Sequence, residues 1–231
     1  LVVLFLLYKK VWLRSKAVER WQKSKLGKGL AYAKFCSFHP LDGFWRLKRE
    51  KRGNILTANV IVGLFLIVYL VNIQFCGYLF MDGQPEDIDV LVSLLVAVIL
   101  MACYCVGNWC FTSLMDGKGT MKDIYISMAF SLYPYIPGGI VLFGLSHVLS
   151  LQEGFLYKTI QVILILWVVA LIFFGMMMTH DYMLGKGTVT IVLTIVGMAL
   201  IVFLGLLIFN LVGDMTNFIY SLYRELLYRN L

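Results

Sequence analysis

Five long apolar segments constrain this chain more than any other feature of its sequence. They occupy residues 55–80, 88–115, 124–150, 155–178 and 188–212. A run of about 18 or more apolar residues is long enough to cross the hydrocarbon core of a bilayer as a helix. The strands of a membrane barrel would instead alternate strictly between apolar and polar residues, and these segments do not. We therefore predict an all-α, polytopic bundle of five complete transmembrane helices.

Composition supports this interpretation and excludes a soluble domain. Hydrophobic residues make up 61% of the chain and charged residues 14%, and the mean hydropathy is +0.85. Soluble domains are about 45–50% apolar. The sequence therefore indicates an integral membrane protein.

The two ends of the chain differ from the five spans. The apolar run at residues 1–8 is followed by Lys9 and Lys10 and is too short to cross a bilayer, so we interpret it as the end of a truncated transmembrane helix. A cleaved signal segment is the alternative, but its positive charges would precede the apolar run. A truncated span would imply an extracytoplasmic N-terminal part. Residues 9–54 form a basic linker with interfacial helices, and residues 213–231 are predicted as a C-terminal amphipathic helix.

Charge predicts the orientation in the membrane. Residues 9–54 are rich in Lys and Arg, whereas the loop at residues 81–89 carries four acidic side chains and no basic one. The positive-inside rule places the basic linker in the cytoplasm and the acidic loop outside. Counting spans forward then places the C-terminus outside.

The tetrapeptide GKGT occurs twice between predicted spans. The copies are Gly117, Lys118, Gly119 and Thr120, and Gly185, Lys186, Gly187 and Thr188. Neither is a phosphate-binding P-loop, because a glycine separates the lysine from the threonine and the required upstream glycine is missing. We expect cytoplasmic turns with glycines at positive φ and a threonine that caps the next helix. The alternative is a docking surface for a cytoplasmic protein or anionic lipid.

A short amphipathic helix is predicted before the first complete span. In "HPLDGFWRLKREKRGN" the apolar residues recur at helical spacing and basic residues follow. This pattern is typical of a helix that lies at the interface of an anionic inner leaflet. Nucleic-acid binding is the rival use of such charge, but the adjacent spans favour lipid and we expect no nucleic acid. The candidate interfacial anchors are Phe44, Trp45, Arg46, Lys48 and Arg49.

The third span is interrupted by Pro134, Pro137, Gly138 and Gly139. Proline removes backbone hydrogen bonds, so the helix must kink or break there. The freed carbonyls could line a cavity, as in broken transporter helices, or the kink could be buried against its neighbours. A transporter or permease subunit for a small solute or lipid is accordingly the alternative function.

The chain offers no evident catalytic chemistry. His39, His147 and His180 fall on both sides of the predicted membrane, and no nucleophile with its base can be assembled on one side. The cysteines lack the spacing of a metal site, and "MMMTH" reads as the edge of a span. We expect neither an enzyme nor a cofactor or metal.

Two cytoplasmic reversals carry a resemblance to a known family. The stretches "DGKGTMKDIYISMAFSLYPYIP" and "HDYMLGKGTVTIVLTIVG", with the basic lead-in and five close-spaced spans, resemble the Yip domain family, and the prokaryotic branch most closely. This similarity covers Phe38 to Val212. It implies five spans, a cytoplasmic N-terminal side, a C-terminus on the opposite side and no catalytic residues.

The family is named for interaction with Rab/Ypt GTPases, but the tyrosine-glycine-proline signature of eukaryotic members is missing here. We therefore expect a non-enzymatic interaction or anchoring module that couples an extracytoplasmic N-terminal part to membrane or cytoplasmic partners, in the bacterial cytoplasmic membrane. The alternative location is a eukaryotic ER or Golgi membrane.

Overall fold

The computed structural model of the chain describes residues 25–77 and 89–229. The predicted truncated span at residues 1–8 lies outside the described residues. So do residues 9–24 of the basic linker, most of the acidic loop and the last two residues of the chain.

Helices account for nearly all of the described residues. They are α1 (Lys25–Phe38), α2 (Pro40–Arg49), α3 (Ile55–Phe75), α4 (Val90–Leu114), α5 (Met121–Ser131), α6 (Tyr135–Val148), α7 (Gly154–His180) and α8 (Leu184–Arg229), with a 3-10 helix at Leu151–Glu153. Helices α3, α4 and α7, the pair α5–α6, and α8 as far as Glu225 are long and apolar enough to cross a membrane. The predicted all-α bundle with five complete spans is thereby confirmed.

Contacts define the two ends of the bundle. At one end the backbone N–H of Gly119 donates to Nδ1 of His180 over 3.3 Å. This bond joins the α4–α5 connection to the end of α7. At the other end the N–H of Gly77, after α3, donates to Oγ of Ser146 near the end of α6 over 3.0 Å. We call the first end the basic face. Its described cations include Arg46, Lys48, Arg49, Lys51, Arg52, Lys118, Lys122 and Lys186.

Helices α1 and α2 pack into the bundle at the basic face. The main apolar cluster joins α1, α2, α3, α5 and α7, and its buried members are Ala33, Cys36, Phe44, Leu47, Ala58, Ile61, Ile126, Ala129, Phe130 and Leu171. Glycines permit the close approach: a Cβ at Gly43 would lie 2.7 Å from Cα of Cys36. Small residues at such contacts let helix backbones come together.

This packing corrects the prediction that Phe44 anchors the chain in lipid. Phe44 is 1% exposed and lies in the protein core. A Cβ at Gly175 of α7 would lie 3.3 Å from Cε1 of Phe44, so the missing side chain at Gly175 leaves room for the ring. Trp45 points away from the core, and the guanidinium of Arg49 lies 5.0 Å from the centre of its ring. Phe44 and Leu47 of α2 therefore pack against protein, whereas Trp45 remains on the outside.

The third span breaks between α5 and α6, and the break is packed. Tight i to i−3 hydrogen bonds bridge it, from Tyr133 N to Phe130 O (3.3 Å) and from Ile136 N to Tyr133 O (3.0 Å). Pro134 immediately precedes α6, and Pro137 lies in its first turn. A Cβ at Gly138 would meet Leu164 of α7 at 2.5 Å, and one at Gly139 would meet Val68 of α3 at 2.6 Å. The glycines therefore seat α6 against two other spans.

Helix α8 differs from its predicted bounds. It is continuous over 46 residues, Leu184–Arg229, and would be roughly 69 Å long at 1.5 Å per residue. The predicted span at 188–212 and the described part of the predicted C-terminal amphipathic helix at 213–231 lie in this one helix. A single glycine such as Gly213 costs a helix only about 1 kcal/mol and does not end it. The side chains from Val202 to Val212 are exposed.

Candidate functional site

Helices α4 and α7 end at the basic face in the same way. Asp116 and Asp181 both have left-handed backbone conformations, each with φ 55°. The residue after each aspartate donates its N–H to a carbonyl five residues back, from Gly117 to Thr112 O (2.7 Å) and from Tyr182 to Met177 O (3.0 Å). This is the Schellman hydrogen bond that closes the C-terminus of a helix. The structural repeat is therefore centred on the two aspartates.

The two GKGT copies lie in different structures. The first follows Asp116 directly and forms a loop that ends in a capping box, with Asp123 N bonded to Thr120 Oγ1 (3.3 Å) and Thr120 N to Asp123 Oδ2 (3.1 Å). The second begins after Leu184 and lies in the first turns of α8. Thr188 donates to Leu184 O over 2.9 Å, so it is not a helix cap. The predicted turn and helix cap are therefore found in the first copy. The second copy is helical, and its threonine does not cap a helix.

Close approach explains the glycines of the first copy. None of the four glycines in the two GKGT copies has a left-handed φ, contrary to the prediction. A Cβ at Gly117 would lie 2.6 Å from Nδ1 of His180, and a Cβ at Gly119 would lie 2.6 Å from Cε1 of the same ring. A Cβ at Gly185, in the second copy, would meet nothing within 4 Å. The first loop is therefore wrapped around His180.

A buried hydrogen-bond chain, which we call the His180 node, surrounds that ring. His180 is 1% exposed, and Asn108 and Thr194 are fully buried. Since Gly119 N–H donates to Nδ1, that nitrogen is unprotonated and Nε2 carries the hydrogen. Nε2 donates to Asn108 Oδ1 over 3.2 Å, and Asn108 Nδ2 donates to Thr194 Oγ1 over 3.5 Å. The node thus links α4, α7, α8 and the first GKGT loop through a neutral imidazole.

Tyr182 closes the end of α4 from the α7–α8 connection. Its ring stacks on His180 with centroids 5.5 Å apart, and its hydroxyl donates to Met115 O over 3.1 Å. The last carbonyls of a helix lack partners within the helix, so this bond satisfies one of them. Burial, and to a smaller extent the Asp116 carboxylate, raises the pKa of Tyr182. The phenol therefore remains a donor at neutral pH.

Basic side chains gather around the node. Asp181 Oδ2 lies 3.7 Å from Nζ of Lys118 and 3.8 Å from a guanidinium nitrogen of Arg49. Nζ of Lys186 lies 4.8 Å from the centre of the Tyr182 ring. Lys48, predicted as a lipid anchor, donates to Thr179 O and so caps α7. The lysines of both GKGT copies are thereby brought to one cluster.

Sequence reasoning missed the centre of this site. It placed His180 at the edge of a span. The usable signal was the "HDY" of residues 180–182, in which two polar ring side chains flank an aspartate just before the second GKGT. Within residues 25–77 and 89–229, no group of three His, Cys, Asp or Glu side chains is arranged to hold a metal ion.

The family model of the Yip1 domain matches residues 35–215, most of the chain. The chain belongs to the Yip1 domain family. No curated protein and no solved structure matches it significantly.

The Yip1 match contains the whole candidate site. It runs from the last turn of α1, through both GKGT copies, to Met215 in α8. The resemblance inferred from residues 38–212 is therefore confirmed as to family, and the prokaryotic branch stays a prediction. Only the C-terminal part of α8 lies beyond the Yip1 domain among the residues described after α1.

Proposed function

We propose that this Yip1-domain protein is a non-enzymatic interaction module of the membrane, and that its basic face docks a protein partner. The observation that carries the proposal is the hydrogen bond between Gly119 and His180, which are 61 residues apart in sequence. It joins the α4–α5 connection and the end of α7 into one surface. A surface held by buried contacts is preorganised, and this lowers the entropic cost of binding.

Charge indicates the chemistry of the partner. The Lys118 side chain is 71% exposed and that of Arg49 57% exposed, although both lie near Asp181. One carboxylate shared by two cations leaves the surface positive. An acidic protein surface would complement it, and such complementarity favours fast and selective association. We propose that partner in the cytoplasm, because basic residues collect on the cytoplasmic side of membrane proteins.

We further propose that the membrane is the bacterial cytoplasmic membrane. This rests on the closer resemblance to prokaryotic Yip domains. The eukaryotic ER or Golgi membrane is the alternative.

Transport through the third span gains no support from the packing around the break. Gly138 and Gly139 are seated against Leu164 and Val68. Transport through the third span therefore stays a prediction.

Site-specific photo-crosslinking tests the docking proposal. A photoreactive amino acid at Lys118 or at Lys186 in intact cells should capture the same discrete protein, because both positions lie on one surface. The matched control is Gln152, an exposed position in the 3-10 helix at the opposite end of the bundle. Replacing Lys118 and Lys186 by Gln should reduce recovery of that protein while the bundle stays folded. Capture of lipid alone from both positions, or of the same protein from Gln152, would refute the docking role.

A further inference from the structure

A cavity opens on the basic face beside the His180 node. Its volume is about 400 Å³, within the range of about 300–1,000 Å³ typical of small-molecule sites. Lysines line it from three segments: Lys48 from α2, Lys51 from the α2–α3 linker and Lys122 from the first turn of α5. The cavity is separate from Lys118 and Lys186, on which the proposed function depends.

The charge of the cavity is strongly unbalanced. The acidic residue in its lining, Asp123, already accepts hydrogen bonds from Thr120 N and Thr120 Oγ1, at 3.1 and 2.8 Å. Lys48 uses one donor on Thr179 O, and an ammonium group has three. Lys51 and Lys122 are exposed. Three lysines against one engaged carboxylate favour an anion with more than one negative charge.

Backbone features hold the linker against α5 at this cavity. Lys51 has a left-handed backbone φ of 49°, which is uncommon for a residue with a side chain. A Cβ at Gly53 would lie 2.6 Å from Cγ2 of Ile126, so the linker can approach α5 this closely only with glycine there. The backbone of the linker that carries Lys51 is thus held close to α5, which carries Lys122. The positive end of α5 adds to the same potential.

The position of the cavity indicates a lipid. Its lining combines residues just before α3 and at the start of α5 with the end of α7, which are the basic-face ends of three candidate spans. Its buried wall is apolar and consists of Phe44, Leu47 and Ile126. Lipid headgroups lie at this level, and a phosphomonoester carries close to two charges at neutral pH.

We propose that this cavity binds the headgroup of an anionic glycerophospholipid that carries a phosphomonoester. The inference goes beyond the proposed docking of a protein, and neither depends on the other. Each basic side chain near an anionic lipid contributes about 1 kcal/mol, so the loss of one lysine should weaken binding about fivefold.

Lipid titration of the purified full chain, followed by native mass spectrometry, tests the proposal. The probes are phosphatidic acid, a phosphomonoester, and phosphatidylglycerol, a singly charged diester, with the same acyl chains. Wild type should bind phosphatidic acid more tightly than phosphatidylglycerol. The K51Q/K122Q variant should lose most of this preference, whereas K118Q/K186Q, which removes the same charge from the same face, should keep it.

Three results would overturn the proposal. The first is an absence of preference between the two lipids in wild type. The second is an equal loss of preference in both double variants, which would indicate diffuse attraction to the surface. The third is displacement of phosphatidic acid from the wild-type chain by an equal concentration of inorganic phosphate, which would assign the site to a free anion. Because partner capture depends on Lys118 and Lys186, a failure here leaves the docking test unchanged.

Discussion

The backbone N–H of Gly119 donates a 3.3 Å hydrogen bond to Nδ1 of His180, and the Cβ that an alanine would carry at Gly119 would lie 2.6 Å from Cε1 of that ring. One glycine thus serves as a hydrogen-bond donor and as the space that the imidazole occupies. The α4–α5 connection and the end of α7 are far apart in sequence, and this contact joins them in one surface.

The two GKGT copies should respond oppositely to the same substitution. Gly117→Ala forces a Cβ to within 2.6 Å of His180 Nδ1 and 2.8 Å of Thr112 O, and we expect a loss of about 1–3 kcal/mol in unfolding free energy. Gly185→Ala meets nothing within 4 Å in a helix and should raise it by up to roughly 1 kcal/mol. Unfolding of both variants in the same detergent measures the difference. Equal losses would mean that the loop does not wrap around His180.

Asn108 and His180 should be energetically coupled. Both are buried and joined by a 3.2 Å hydrogen bond. A double-mutant cycle of Asn108→Ala and His180→Ala should give an interaction free energy of about 1 kcal/mol. The control is Asn72→Ala, which removes the bond to Gly139 O at 3.1 Å elsewhere in the bundle and should be additive with His180→Ala. An additive Asn108–His180 cycle would contradict the node.

Tyr182 should stabilise the fold in a pH-dependent way. Tyr182→Phe removes the bond to Met115 O and should lower the unfolding free energy by about 1 kcal/mol near neutral pH. Because the pKa of Tyr182 is raised in the folded state, this contribution is fully present below the ordinary value of 10.0 and is lost as pH rises through the raised pKa. Unfolding of wild type and the Phe variant across alkaline pH should show the two curves converging. A gap that widens with pH would mean that the shift has the opposite sign.

Both GKGT copies should face the cytoplasm. Single cysteines at Lys118 and Lys186 should react with a membrane-impermeant maleimide only after the cells are opened, whereas one at Gln152 should react in intact cells. Native Cys36 should stay silent, because it is fully buried and burial raises the pKa of its thiol to about 12. Labelling of Lys118 and Lys186 positions from opposite sides would contradict the shared face.

The sequence by itself determined the fold class and the number of spans, because a span is recognised from an uninterrupted run of apolar residues that is long enough to cross a bilayer. It also predicted the break at Pro134, since proline cannot complete the helical hydrogen-bond pattern. The sequence also predicted that Thr120 caps the next helix, because the partners of such a cap lie within three residues of each other.

The tertiary structure decided everything that depends on contacts between distant segments. Two identical tetrapeptides became a loop and a helix turn because they stand at different distances from Asp116 and Asp181, which end the preceding helices. The sequence pattern predicted that Phe44 contacts lipid. In the structure it is buried, and the absence of a side chain at Gly175 on another helix leaves room for its ring. His180 became the centre of the site through partners 61 and 72 residues away. Such partners are chosen by the packing of whole helices, which no local pattern specifies.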